Sequence, residues 1–122
     1  MTGGDTSQTI LVVEDDASVR GVVFEMLEGP HRRVLVAGTA ADALSFASST
    51  AQIDLLVTDI VLPHISGHRI AKLVRAFHPA VPVLYISGWY EHPQFSELDG
   101  EVILQKPFSR EELESALAAV LK

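Results

Sequence analysis

Five short apolar runs alternate with segments of helical periodicity, and together they predict an α/β fold, a doubly wound five-stranded parallel sheet with helices on both faces. The runs Ile10 to Val13, Val34 to Ala37, Leu55 to Val57, Val83 to Ile86 and Val102 to Leu104 are nearly continuous and rich in Val, Ile and Leu, as strands buried on both faces should be. Between them, helical spacing relates Val19, Val22, Val23, Met26 and Leu27, then Ala40, Ala43, Leu44 and Ala47, then Ile70, Leu73, Val74 and Phe77, and finally Leu113, Ala116, Leu117, Val120 and Leu121. The right-handed crossover rule leaves few strand orders for such a chain.

The helix boundaries carry their own signals. Asp16 is placed to cap the first helix and Gly29-Pro30 to end it, while Thr39 with Asp42 and Ser109 with Glu112 have capping-box spacing for the second and last helices. From Gly88 to Gly100 only Phe95 and Leu98 offer anchors and Pro93 interrupts, which predicts a short or irregular fourth helix. The small polar residues 1–8 read as a disordered lead or linker remnant, which leaves 9–122 as the folded domain.

Composition bounds the function. A chain of 122 residues with 48% hydrophobic content can close one core but not two. Sixteen acidic against nine basic residues give a net charge of −7, so the basic face of a nucleic-acid binder is missing. Without cysteine there are no disulfides, thiolate metal sites or thiol nucleophiles, in agreement with a reducing compartment. No apolar run approaches the roughly 20 residues needed to span a bilayer, and the polar start lacks the basic and apolar regions of a signal peptide. A cytoplasmic domain without membrane insertion is expected.

In an open parallel sheet, chemistry gathers at the carboxyl ends of the strands, where the strand order reverses. The first run leads straight into Glu14-Asp15-Asp16 and the third into Asp59, so if these strands are neighbours their carboxylates converge. Two carboxylates about 4 Å apart repel by about 4 kcal/mol at an effective dielectric near 20, so the cluster needs a cation or a proton. Oxygen donors with no His or Cys alongside favour a hard ion, Mg²⁺ above the rest. The fourth run ends in Ser87, a hydroxyl donor, and the fifth in Lys106, a positive charge held at the strand end by Pro107. A hard cation, a lysine, a hydroxyl and a free carboxylate make a phosphoryl-transfer site in which Asp59 is the nucleophile.

These residues resemble the receiver domains of two-component response regulators. The likeness covers Ile10 to Lys122 and rests on four ordered motifs: Val13-Glu14-Asp15-Asp16, the loop Asp59-Ile60-Val61-Leu62-Pro63-His64-Ile65-Ser66-Gly67, Ile86-Ser87-Gly88, and Lys106-Pro107-Phe108. It implies a flavodoxin-like (βα)5 sheet in the order 2-1-3-4-5. It also implies phosphorylation of Asp59 by a histidine kinase or histidine phosphotransfer protein. Mg²⁺ would be held by Asp15 and Asp59 directly, by Glu14 through water and by the backbone carbonyl of Val61. Ser87 and Lys106 would grip the phosphoryl oxygens, and partners, including a second copy in a homodimer, would dock on the fourth and fifth helices. Asp16 falls one place beyond the family's acidic pair and stays a helix cap. The wording of Ser87-Gly88-Trp89 and Leu104-Gln105-Lys106-Pro107-Phe108 is similar to receivers attached to hybrid histidine kinases, with a stand-alone receiver as the alternative.

Two departures stand out. Ile103 occupies the place where the family carries a switching aromatic, three before the lysine, and Trp89 and Tyr90 after Ser87-Gly88 offer another responsive surface. Val61 and Trp89 flank the path of the hydrolytic water and are both apolar, which predicts slow self-dephosphorylation. Plainer readings are helix capping for single acids, a solvated loop for Lys106, surface or loop positions for His64 and His68, and turns for Pro63 and Gly67. An aspartate-nucleophile phosphohydrolase is the competing activity, but Val61 stands where its acid/base carboxylate belongs. An FMN carrier would meet repulsion from Glu14-Asp15-Asp16 at its phosphate, and a non-phosphorylated binding module would leave the site residues unused.

Overall fold

The computed structural model describes residues 7–88 and 100–121. The described elements run β1 (Gln8–Val13), α1 (Ala17–Leu27), β2 (Arg32–Ala37), α2 (Ala40–Ser49), β3 (Leu55–Asp59), α3 (Gly67–Arg75), β4 (Val83–Ser87), β5 (Val102–Gln105) and α4 (Arg110–Leu121). All five strands are parallel in the order β2-β1-β3-β4-β5, as the sequence implied. The irregular helix expected between Gly88 and Gly100, together with Trp89 and Tyr90, lies outside the described residues.

Alternation along each strand divides the core. Ile10, Val12, Leu55, Val57, Leu84 and Ile86 meet Val23 and Leu27 of α1 and Leu113 and Leu117 of α4. Leu11, Val13, Leu56, Val83 and Tyr85 meet Ala43 and Ala47 of α2 and Ile70, Ala71 and Val74 of α3 on the other face. The central strands β3 and β4 are buried at every position, which is why their sequences read as unbroken apolar runs. No helix among the described residues is long and apolar enough to cross a membrane.

The caps form where the side chains predict them. Asp16 accepts from the amides of Ser18 and Val19, and Thr39 Oγ1 accepts from Asp42 at 3.1 Å. Ser109 and Glu112 close a reciprocal capping box, with bonds of 2.8 and 3.0 Å. Helix α3 is capped by Ser66, whose hydroxyl accepts from the Arg69 amide.

Three expectations need correction. Gln8, assigned to the lead, is the first residue of β1: its amide donates to His31 and it pairs with Arg32. Phe77, assigned to the apolar stripe of α3, is 52% exposed, because it lies past Arg75, where the helix ends, in a turn whose amides at Phe77 and His78 both donate to the Val74 carbonyl. Val22 is likewise half exposed, bordering a shallow apolar groove with Val19, Met26 and Phe108 rather than entering the core.

Candidate functional site

The strand order reverses between β1 and β3, so the loops leaving these strands part to opposite sides and open a cleft at their carboxyl ends. The register pairs Val13 with Thr58, which brings Glu14, just past β1, beside Asp59, the last residue of β3. Glu14, Asp15 and Asp59 each offer a carboxylate oxygen to a cluster whose atoms all lie within 4.8 Å of one another. Glu14 and Asp59 are buried, while Asp15 is exposed at the rim.

Lys106 follows β5 and reaches across the cleft. Its Nζ donates to Glu14 Oε1 at 2.8 Å and lies 3.0 and 3.1 Å from the two oxygens of Asp59. One ammonium facing two buried carboxylates cannot neutralise both. Burial therefore pushes the Asp59 carboxyl up to about 8, with the neighbouring Glu14 adding to the rise and Lys106 opposing it. Burial also disfavours the Glu14 anion, but hydrogen bonds from Asp59, Lys106 and the Asp16 amide outweigh it and hold Glu14 below the usual range. For Lys106 burial opposes the charged form, and the two carboxylates prevail and hold its pKa above the ordinary value. Three converging carboxylates with oxygen donors alone suit a hard divalent cation, whose charge would favour the ionised form of Asp59.

The remaining site residues fall at the same end of the sheet. Ser87 is the buried last residue of β4; its hydroxyl donates to the Gly88 carbonyl at 3.1 Å, and its own carbonyl accepts from the Lys106 amide at 2.8 Å. The structure thus brings Ser87 beside Lys106 with its hydroxyl bonded to its own loop. Val61 is 41% exposed on the β3–α3 loop, bridged to Ser66, with Pro63 exposed beyond it. Asp16 serves as the cap of α1. Ile103 is half buried and pairs with Tyr85, a fully buried residue of β4 whose phenol is pushed up to about 12 by burial.

Sequence reasoning missed three contributors. Arg20 on α1 donates Nη1 to the backbone carbonyls of Glu14 at 2.8 Å and Asp15 at 3.4 Å. Gly38, after β2, has that guanidinium packed on its bare Cα. Gly67, read as a turn residue, packs directly on the backbone of Asp59. Spacing carries no sign of any of these, since each depends on a close approach between separate segments.

Comparison with known proteins agrees with this geometry. Residues 10–118 match the family model described as the response regulator receiver domain. Among curated proteins, the sensor kinase CckA of Brucella abortus (strain 2308) is 28% identical over 95% of this chain, and the regulatory protein PhoP of Bacillus subtilis (strain 168) is 30% identical, also over 95%. The chain spans 13% of that kinase and 49% of that regulator. Among solved structures, a receiver protein from Sinorhizobium medicae WSM419 superposes with a TM-score of 0.80 at 30% identity, covering 94% of both chains. The receiver domain of the hybrid histidine kinase CckA gives 0.77 at 32%, covering 93% of this chain and 99% of its own. With its sheet order, its carboxylate cluster and nearly its whole length matched, the chain belongs to the response regulator receiver domain family, the phosphoacceptor domains of two-component systems.

Proposed function

We propose that Asp59 is the phosphoacceptor of this domain and that the donor is the phosphohistidine of a histidine kinase or phosphotransfer protein. The observation that carries this reading is the Lys106 ammonium shared between Glu14 and Asp59 at the switch point of the sheet. Asp15 and Asp59 directly, Glu14 through water, and the Val61 carbonyl would hold Mg²⁺, which when bound neutralises charge on the phosphoryl oxygens. Ionised Asp59 supplies the attacking oxygen; a P–O bond forms as the N–P bond of the donor breaks, its electron pair passing to the imidazole nitrogen. Lys106 is then free to turn one donor from Asp59 to a phosphoryl oxygen. The Ser87 hydroxyl, which donates to the neighbouring Gly88 carbonyl, would turn to do the same. Output is a population shift between two surfaces, which makes the chain a signalling module acting on itself rather than an enzyme.

Acetyl phosphate with Mg²⁺, followed by intact mass measurement, tests the assignment. Wild type should gain one phosphoryl group and Asp59→Asn none; labelling that persists in Asp59→Asn places the acceptor elsewhere. The phosphohydrolase reading fares worse, because Val61 offers no acid or base two residues after the nucleophile. The same residue sets the lifetime of the phosphoryl group: its exposed apolar side chain positions no water. Val61→Asn should speed the loss of the group about tenfold, which corresponds to about 1.4 kcal/mol of barrier. Decay measured by mass at intervals checks this, and equal rates would remove Val61 from the account.

The setting is proposed to be cytoplasmic, with no direct contact to nucleic acid, as the charge of −7 supports. The motif wording around Ser87 and Lys106, and the likeness to the CckA receiver, support a place in a hybrid-kinase phosphorelay. The face proposed for partners or a second copy includes α4 and the expected helix before β5.

A further inference from the structure

Asp15 is the rim carboxylate of the cluster, yet among the described residues its side chain accepts no hydrogen bond. Glu14 beside it is fixed from three directions: its amide donates to the Ala37 carbonyl at 3.0 Å, Oε1 accepts from Lys106 and Oε2 from the Asp16 amide. The amides on either side of Asp15 are thus tied, and the carbonyls of Glu14 and Asp15 are held by the side chain of Arg20, whose Nη1 reaches back six and five residues to them. The guanidinium in turn lies against Gly38, where a Cβ would stand 2.7 Å from Nη1 and 3.3 Å from Cζ; the three heavy atoms nearest to that point all belong to Arg20. Gly38 directly follows Ala37, so the seat of the clamp is tied to the same strand end that receives the Glu14 amide.

We infer that Arg20 is a positioning residue for the cation: seated on Gly38, it clamps the Glu14 and Asp15 carbonyls and so sets where the Asp15 carboxylate meets those of Glu14 and Asp59. The inference rests on the proposed Mg²⁺ reading of that cluster. Its sign separates it from simple electrostatics. A positive charge beside a cation site, acting only through space, weakens cation binding, so its removal would tighten Mg²⁺. A clamp that holds a ligand-bearing loop does the opposite, and loss of such support around metal ligands typically costs about tenfold or more in affinity. Lysine keeps the charge but lacks the planar guanidinium, so it does not substitute for a clamp built on two carbonyls.

Calorimetric titration of the whole chain with Mg²⁺ tests this. Arg20→Ala and Arg20→Lys should each weaken binding about tenfold. Gly38→Ala, whose new methyl meets the flexible end of Arg20 first, should fold and weaken Mg²⁺ in the same direction. In the Arg20→Ala background the Gly38 substitution should add nothing further, because the atoms it displaces are gone. Unchanged or tighter Mg²⁺ binding by Arg20→Ala overturns the clamp, as does full additivity of the two substitutions. The underlying reading has a separate control: if Asp15→Asn binds Mg²⁺ as the wild type does, the cation site itself is misassigned and the clamp falls with it.

Discussion

Asp59→Asn should make the metal-free domain more stable than the wild type at pH 8, with the advantage shrinking as the pH falls towards 5. Burial and the Glu14 carboxylate raise Asp59 to about 8 in the folded protein, while in the unfolded chain the same carboxyl ionises near 3.8. Between these values the folded state holds a proton that the unfolded state has released. Stability therefore falls as pH rises through this window, by at most about 1.4 kcal/mol per pH unit, and flattens above the folded value. Glu14 works in the other direction: its lowered pKa contributes stability that is lost only as the pH falls through its ordinary value of 4.5, below the range from pH 5 to 8. Asparagine cannot ionise, so its melting temperature should stay nearly level from pH 5 to 8 while that of the wild type falls by several degrees. Mg²⁺ should reverse the order. The cation needs Asp59 ionised, so it displaces the proton, and its affinity should rise up to about tenfold per pH unit until about pH 8. At pH 8 Mg²⁺ should lift the melting temperature of the wild type and leave Asp59→Asn unmoved. A wild-type melting temperature independent of pH, with Asp59→Asn no higher, would contradict a protonated Asp59.

The buried strands and the ionisable residues at their ends were legible in the sequence because each leaves a local mark. Apolar runs of three or four residues rich in Val, Ile and Leu, alternating with helical spacing, read as the strands of a parallel sheet, and an acid, a hydroxyl or a lysine within two residues of the end of such a run falls at a carboxyl end of the sheet. Glu14, Asp59, Ser87 and Lys106 all fall there. What stayed hidden depends on distance across the fold. Arg20 stands in α1 among apolar residues, and only the fold of the β1–α1 loop turns its guanidinium towards Glu14. The bidentate pair between Arg32 and Glu114, at 2.7 Å, joins residues 82 positions apart. Phe77 kept the helical period and still left the core, since periodicity does not show where a helix stops. The Ser66 cap passed unnoticed because Arg69, not an acid, stands three residues later, so no capping box advertised it.

Gly67→Ala should be strongly destabilising despite the small size of the added group. A Cβ at this position would fall 1.8 Å from the Asp59 carbonyl oxygen, 2.8 Å from its carbonyl carbon and 3.2 Å from Ile60 Cα. All three are backbone atoms of Asp59 and Ile60, so no side chain can swing away to make room. The same glycine closes the β3–α3 loop by donating its amide to the Ile60 carbonyl at 2.8 Å, across the Val61–Ser66 bridge. An added methyl must lift the first turn of α3 off the end of β3, breaking that bond and displacing Asp59 and the Val61 carbonyl together. Overpacking of this kind costs about 3 kcal/mol, which for a domain of this size lowers the melting temperature by roughly 10 to 20 °C. Gly21→Ala is the matched control. It lies exposed within α1 with nothing within 4 Å of its added Cβ, so alanine there should raise stability by up to about 1 kcal/mol through helix propensity alone. Thermal melts of both variants separate a cost of space from a cost of backbone freedom: a Gly67→Ala melting temperature within two or three degrees (~2–3 °C) of the wild type would mean that α3 is not seated on Asp59. If the seat is real, Mg²⁺ binding and phosphoryl acceptance by Gly67→Ala should fall even at temperatures where it is folded, because relief of the clash moves the acceptor backbone itself.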